Sequence, residues 1–504
     1  MKVLMTGASG AMGQCSLKEI VKGNMNFELV LPILDTEKDK KAVKNYLDHP
    51  KIKMVYGDLT DKGFVQTIVK EIDLIVHIAA FVSPAADYYP EKAMQVNYGS
   101  MKNLVEAIYH WGQEKRTKLV SIGTVAETGD RMPGIHWGRV GDPIKPSIFD
   151  YYAVSKVAAE RYLIESGLSY WASLRQTGIM GPAMASIDDA IMFHNCLDNV
   201  LEYVSDRDSG RLVAHLCQYV ADSSLPDDFW NHVYNIGGGE SCRVSTYEMY
   251  QVMYGGMGFT NLDHVINPKL YATRNFHGQY YLDSDKLENY LHFRQDSIQY
   301  FYDCLDKNVE RTKPLIRFIN KLPGGQKLMG SIIQRRFKKV ARTQFGTLRF
   351  IEDKLDDKVE AYWGGWEKWQ SLPTKLSQMT HFTNWSEIQL LDHGYDESKP
   401  KNQLSLDDVK SAAKFRGGAC LSDRMIMGDW TTKLRFQCAF NHHFQASPKL
   451  VLEAGHFCPE CESKSWNYGQ RALKEPFFAQ VWNPLHDKTE LREYPKIVSE
   501  KNVR

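Results

Sequence analysis

Long apolar runs are missing from this chain. No stretch of about 18 residues is continuously apolar, so a membrane-spanning helix is not expected. Net charge is nearly absent as well. The 62 Lys+Arg and 61 Asp+Glu leave +1, which excludes a globally basic nucleic-acid binder. Cysteine is sparse and odd in number, nine in 504 residues, which excludes a disulfide scaffold and fits reduced thiols. Internal repeats and low-complexity tracts are lacking. The first residues lack the apolar region and cleavage site of a signal peptide, so a cytoplasmic protein is expected. What remains is a composition with 43% hydrophobic residues, enough for a real core. At about 100–200 residues per domain, the length predicts two to four domains.

Apolar runs at 2–6, 28–34, 53–56, 74–78, 118–122 and 171–175 alternate with helix-period segments such as 13–21 and 93–112. That alternation predicts an α/β fold with a doubly wound parallel sheet. From about 180 the pattern loosens. A strand at 233–237 followed by a helix from Thr246 suggests a small substrate-binding subdomain on the same sheet, ending near 310. Residues 311–349 form a basic segment, 350–424 a Trp-rich mixed extension, 425–475 a Cys/His module and 476–504 a tail.

The loop after the first strand holds Gly7, Ser9, Gly10, Ala11, Met12 and Gly13 and opens a helix. Glycines at this spacing allow a tight turn and close backbone approach, and the helix N-terminus faces a pyrophosphate. A dinucleotide is therefore expected. Asp35, after the second strand, suits ribose hydroxyls and repels a 2′-phosphate, favouring NAD. Lys38, Lys40 and Lys41 keep NADP open. Asp58 and Leu59 follow the third strand, near the place for an adenine edge.

Tyr152 and Lys156 lie four apart and share a helix face. A phenol with a pKa near 10 is a poor base unless a nearby ammonium favours the phenolate. Thr124 ends a strand, where its hydroxyl can bridge a substrate oxygen and the phenol, although Thr there also caps turns.

These residues fall in order with Gly57-Asp58-Leu59, His77-Ile78-Ala79-Ala80, Val96-Asn97-Tyr98-Gly99-Ser100 and Arg175…Gly181-Pro182. In that order, residues 1 to about 310 resemble an extended short-chain dehydrogenase/reductase of the NAD-dependent epimerase/dehydratase family. The resemblance implies a Rossmann-type sheet, a nicotinamide cofactor and Thr124, Tyr152 and Lys156 as the catalytic set. It also implies cofactor contacts through Ala79, Ala80, Asn97, Tyr152 and Lys156, and a homodimer. Dehydratases of this kind carry an acid one or two places after the catalytic Thr. Here Val125 and Ala126 stand there, which disfavours dehydration. Gly178 replaces the Asn that many sugar-nucleotide enzymes hold near the diphosphate.

Cys458 and Cys461 form a C-x-x-C knuckle, and Cys438 with His442 a second pair. Two such pairs suit a structural Zn²⁺ with no open position. The segment resembles treble-clef or zinc-ribbon modules. His443 and His456 are alternative fourth ligands and Cys420 a weaker one; free thiols are the bland alternative. In 311–349, apolar residues recur at near-helical spacing among eleven Lys/Arg and no Asp or Glu. Such a helix either packs its apolar face on the dehydrogenase domain or lies on an anionic membrane.

The predicted function is NAD(P)-dependent hydride transfer to or from a small hydroxy/keto substrate, with lipophilic alcohols or ketones such as steroids in its range. A sugar-nucleotide 4-epimerase is the alternative within enzymes, and a non-catalytic redox sensor or scaffold the alternative outside them. No nucleic-acid partner is expected.

Overall fold

The computed structural model describes residues 1–23 and 25–496. β1 (Lys2–Thr6), β2 (Glu28–Ile33), β3 (Ile52–Tyr56), β4 (Leu74–His77), β5 (Lys118–Thr124), β6 (Trp171–Gln176) and β7 (His232–Ile236) form one sheet. Its order is β7-β6-β5-β4-β1-β2-β3, with every pairing parallel. The chain builds outward from β1 in one direction, then returns to β4 and builds the other way. The gap beside β1 at the strands' carboxyl ends is therefore the switch point where such sheets bind ligands.

Strands β1, β4 and β6 are buried along almost their whole length, as sheets covered on both faces require. The covering helices are α1 (Ala11–Lys22), α2 (Glu37–Val43), α3 (Lys62–Val69), α4 (Gly99–His110), α5 (Tyr151–Ile164) and α6 (Asp206–Ala221). α7 (Thr246–Gly256) opens the expected subdomain with a capping box of Ser245 and Glu248.

The extension continues with α8 (Lys313–Lys321), α9 (Gly325–Ala341), α10 (Thr347–Glu352), α11 (Asp356–Trp363) and α12 (Leu406–Phe415). β8 (Ala419–Cys420), β9 (Leu434–Gln437) and β10 (His443–Ala446) make a three-stranded antiparallel sheet, followed by the short α13 (Pro459–Ser463). One apolar cluster runs unbroken from the half built on the parallel sheet into this part. It joins Leu104, Leu163, Trp171 and Val233 to Val409, Phe436, Leu450 and Phe457. A second cluster sets Phe350, Trp363, Trp466 and Trp482 around Tyr151 and Val154 of α5. The extension thus packs onto the helix that carries the Tyr/Lys pair. Among the described residues, no helix is long and apolar enough to cross a membrane.

Candidate functional site

Gly7 has φ +73°, and a Cβ there would stand 2.6 Å from the Ala79 nitrogen. A Cβ at Gly13 would lie 2.1 Å from the Gly7 oxygen. Both glycines let the loop fold flat against β4 and α1. Gly10 differs. It is exposed and its Cβ would meet only the Gly7 oxygen at 3.4 Å. Gly10 also caps α1 without any side-chain hydrogen bond, and no acid sits in the first turn. The N–H groups at this helix start face outward into the switch point, the arrangement an anionic pyrophosphate needs.

The neighbouring loop is held by a hydroxyl–imidazole relay. The Thr6 hydroxyl oxygen accepts from the Ile78 and Ala79 N–H groups, so its own proton goes to His77 Nδ1 at 2.9 Å. His77 Nε2 then donates to Ser100 Oγ at 3.2 Å. Burial, with Lys156 adding to it, lowers His77 to about 3 and keeps it neutral. Asn97 accepts from Phe81 N and donates to Phe81 O and Ser155 Oγ. Its amide ties the loop beyond Ala80 to α5.

Asp35 is exposed just past β2 and pairs with Lys40 of α2 at 2.5 Å. The carboxylate expected to favour NAD is thus paired with one of the lysines that kept NADP open. Asp58 is exposed and accepts from Thr60 N at 2.8 Å, while the Leu59 carbonyl accepts from Asn103.

Thr124 closes β5 and caps the short turn that follows. Its oxygen accepts from Ala126 N at 3.2 Å, and Glu127 Oε1 accepts from Thr124 N at 3.0 Å. The half-buried Tyr152 phenol stands within reach of that hydroxyl, which favours the phenolate. Burial nonetheless pushes the phenol well above its usual value, against the Thr124 hydrogen bond and with help from Glu127 and Asp150.

Lys156 follows Tyr152 by one turn of α5. Its Nζ donates to the Ile122 carbonyl at 2.5 Å and faces the carboxyls of Glu127 and Glu160. Burial lowers Lys156 to about 8, with those two carboxyls opposing.

Glu127, a residue the sequence reading passed over, is buried beside Thr124 and Lys156. It is fully buried and raised to about 8, first by burial and then by Glu160, against Arg175, His456 and Lys156. The signal was present as a Thr-x-x-Glu capping box. Behind it runs a buried ion chain. Arg175 lies 3.5 Å from Glu127 and 2.6 Å from Glu160. Glu160 meets His456 Nε2 at 3.1 Å, and His456 Nδ1 meets Glu462 at 3.1 Å. Glu462 closes the chain on Arg161 of α5 at 3.0 Å.

That chain narrows the candidate metal ligands. His456, once an alternative, has both ring nitrogens on carboxylates. His443 is exposed on β10. The cluster that could hold an ion is Cys438, His442, Cys458 and Cys461, with ligand atoms within 4.8 Å of one another. His442 Nδ1 lies 3.4 Å from Cys438 Sγ and 3.5 Å from those of Cys458 and Cys461, and Cys438 and Cys461 Sγ are 3.8 Å apart. Ligands at about 2.3 Å for sulfur and about 2.0 Å for nitrogen, set tetrahedrally, stand about 3.8 and 3.5 Å apart. Cys420 lies outside the cluster.

A cavity opens at the N-terminal end of α5, lined among others by Asp87, Asp150, His194, His277, Phe345 and Lys358. Asp87 accepts from the N–H groups of Tyr151 and Tyr152 at 3.0 and 3.4 Å. Asp150 caps α5 through Ala153 N at 2.8 Å. Burial raises both carboxyls, and Asp87 adds to the rise at Asp150. Burial brings Lys358 down to about 7 against the pull of Asp87 and Asp357. Phe345 and Lys358 come from the extension, so no local motif could have placed them here.

With this geometry in view, known proteins can be compared. Residues 3–204 match the model of the NAD dependent epimerase/dehydratase family. Within and beyond that family region, the chain is 27% identical over 213 residues to a 3 beta-hydroxysteroid dehydrogenase/Delta 5-->4-isomerase of Mycobacterium tuberculosis, covering 40% of this chain and 52% of that one. It is 26% identical over 108 residues to a UDP-glucose 4-epimerase of Rickettsia bellii, covering 21% and 32%. The chain spans about half the length of the first of these curated relatives. A dTDP-glucose 4,6-dehydratase of Streptomyces venezuelae, solved with NAD bound, superposes with a TM-score of 0.49 at 20% identity, covering 62% of this chain and 98% of that one.

Proposed function

We propose that the dehydrogenase half interconverts an alcohol and a ketone using NAD(P). The observation that carries this is α5 held against the carboxyl end of β5 by Lys156 on the Ile122 carbonyl, which sets the Tyr152 phenol beside Thr124, together with a start of α1 that no side chain caps. The residues fit the cofactor. The bare N–H groups after Gly10 receive a pyrophosphate, Asp35 receives ribose hydroxyls, and Lys156 can turn from the Ile122 carbonyl to a second ribose. When bound, the nicotinamide supplies the hydride acceptor or donor. The chain supplies the proton chemistry: Thr124 holds the substrate oxygen, and Tyr152 takes the hydroxyl proton during oxidation or gives it back during reduction. One hydride and one proton leave the alcohol, and the ketone remains.

The substrate is a small hydroxy/keto molecule whose oxygen meets Thr124 and Tyr152. The steroid dehydrogenase relative supports that class; the 4-epimerase relative supports the same residues acting on a sugar nucleotide. We further propose that Cys438, His442, Cys458 and Cys461 hold one structural Zn²⁺. Four protein ligands leave it no substrate position.

Tyr152→Phe tests the reading. Turnover should fall by roughly 10²–10⁴-fold, because one hydroxyl carries the proton, while NADH affinity by fluorescence titration stays within a few fold. Near-normal turnover in the variant would remove Tyr152 from the mechanism.

A further inference from the structure

Two neighbouring helices of the extension carry apolar side chains on faces that nothing covers among the described residues. On α8, Leu315, Phe318 and Leu322 follow at the spacing of one helical stripe, Leu322 just past the last turn. On α9, Leu328 and Ile332 lie one turn apart. All five are between 48% and 62% exposed. The opposite faces are already used: Ile316, Met329, Ile333, Phe337 and Val340 pack into the subdomain core. The segment therefore has two apolar faces, and packing explains only one. Exposed apolar side chains ordinarily occur singly, and a cluster of this kind marks an interaction surface.

Charge narrows the occupant. Residues 311–349 hold eleven Lys/Arg and no Asp or Glu. Acids from other elements neutralise a few: Asp306 pairs with Lys313, Asp188 with Arg336, Glu352 with Arg342 and Asp353 with Arg349. Arg311, Lys321, Lys327, Arg335, Lys338 and Lys339 make no ion pair among the described residues. A second copy of the same face would set these cations against their own kind, a repulsive pairing. Nucleic acid would satisfy the charge but leave the leucines and Phe318 in water.

We propose that α8 and α9 seat the protein on an anionic lipid bilayer, with Leu315, Phe318, Leu322, Leu328 and Ile332 at headgroup depth and the free cations against lipid phosphates. Apolar insertion and electrostatic attraction then act on one surface, the combination that stabilises interfacial helices. The surface is separate from Thr124, Tyr152 and Lys156, so this inference stands whether or not the catalytic reading does.

Vesicle co-sedimentation of the full chain tests it. Phosphatidylcholine vesicles are compared with vesicles containing phosphatidylglycerol, at low and raised salt. Binding is expected only with phosphatidylglycerol and should weaken as salt rises. Leu315→Ser/Phe318→Ser/Ile332→Ser and Lys321→Glu/Lys338→Glu/Lys339→Glu should each lower the bound fraction about tenfold or more, with unaltered melting by circular dichroism because every site is exposed. Absence of sedimentation at low salt, or undiminished binding by both variants, overturns the proposal. So does a chain that ignores vesicles but self-associates, and loses that association in the serine variant.

Discussion

Tyr152 sits where its own surroundings hold the proton on. Burial, Glu127 and Asp150 all raise the phenol, and only Thr124 opposes them. The sign of the pH dependence follows. A raised acid stays protonated through neutral pH, so ketone reduction, which needs the proton donor, should be nearly flat there. Alcohol oxidation needs the deprotonated phenol, whose fraction grows tenfold per pH unit below its pKa. Its kcat/KM should therefore climb with pH from neutral into the alkaline range. Opposite slopes in the two directions would contradict this order. Asp35 carries the second residue-scale expectation. Its pairing with Lys40 means that Asp35→Ala removes a repulsive carboxylate and frees an ammonium together. Preference should shift toward NADP in the ratio of the two Kd values, and tighter NADP binding by the unaltered chain would reverse the reading of Asp35. Both residues were legible in the sequence because each belongs to a short motif with a local mechanism. Glu127 was legible as a cap and was overlooked as chemistry.

α5 is gripped from its far side by the Cys/His module. His456 stands two residues before Cys458, and Glu462 one after Cys461, so the proposed zinc knuckle and the Glu160–Arg161 stretch of α5 share one ion chain. Removing the metal should therefore be felt at Tyr152 and Lys156 although no catalytic group is lost. Elemental analysis should give one zinc per chain, and chelation should lower the unfolding midpoint and, in step, the turnover. A stoichiometry near zero would discard the site; full turnover in metal-free, still-folded protein would discard the coupling. The apolar cluster shared with α4 and α5 makes this module less dependent on its metal than an isolated finger, which is unfolded without it. The ligand pairs were readable from spacing, and His442 was singled out by resemblance. That His456 serves Glu160 was not readable, because the two lie 296 residues apart.

For the whole molecule, the first half was transparent to sequence reasoning and the second was not. β1 through β7 announce themselves by apolar runs of strand length, and their order follows from parallel crossovers. The extension lacks such rhythm. Its burial is decided by Trp363, Trp466 and Trp482 meeting α5 from three distant stretches. The cavity at the start of α5 shows the same limit. His194, Phe345 and Lys358 reach it from separate segments, and only the folded chain reveals them as neighbours.

The unbroken cluster joining Leu163 and Trp171 to Phe436 and Phe457 also bears on how the protein is born. During synthesis the half built on the parallel sheet emerges first, with the apolar side of α4 and α5 still lacking its cover. The covering residues leave the ribosome well over a hundred residues later, on the order of ten seconds at cellular elongation rates. Throughout that interval the nascent chain presents a sticky flank. Chaperone demand should accordingly peak midway through translation, and a chain cut near residue 310 would carry that flank permanently.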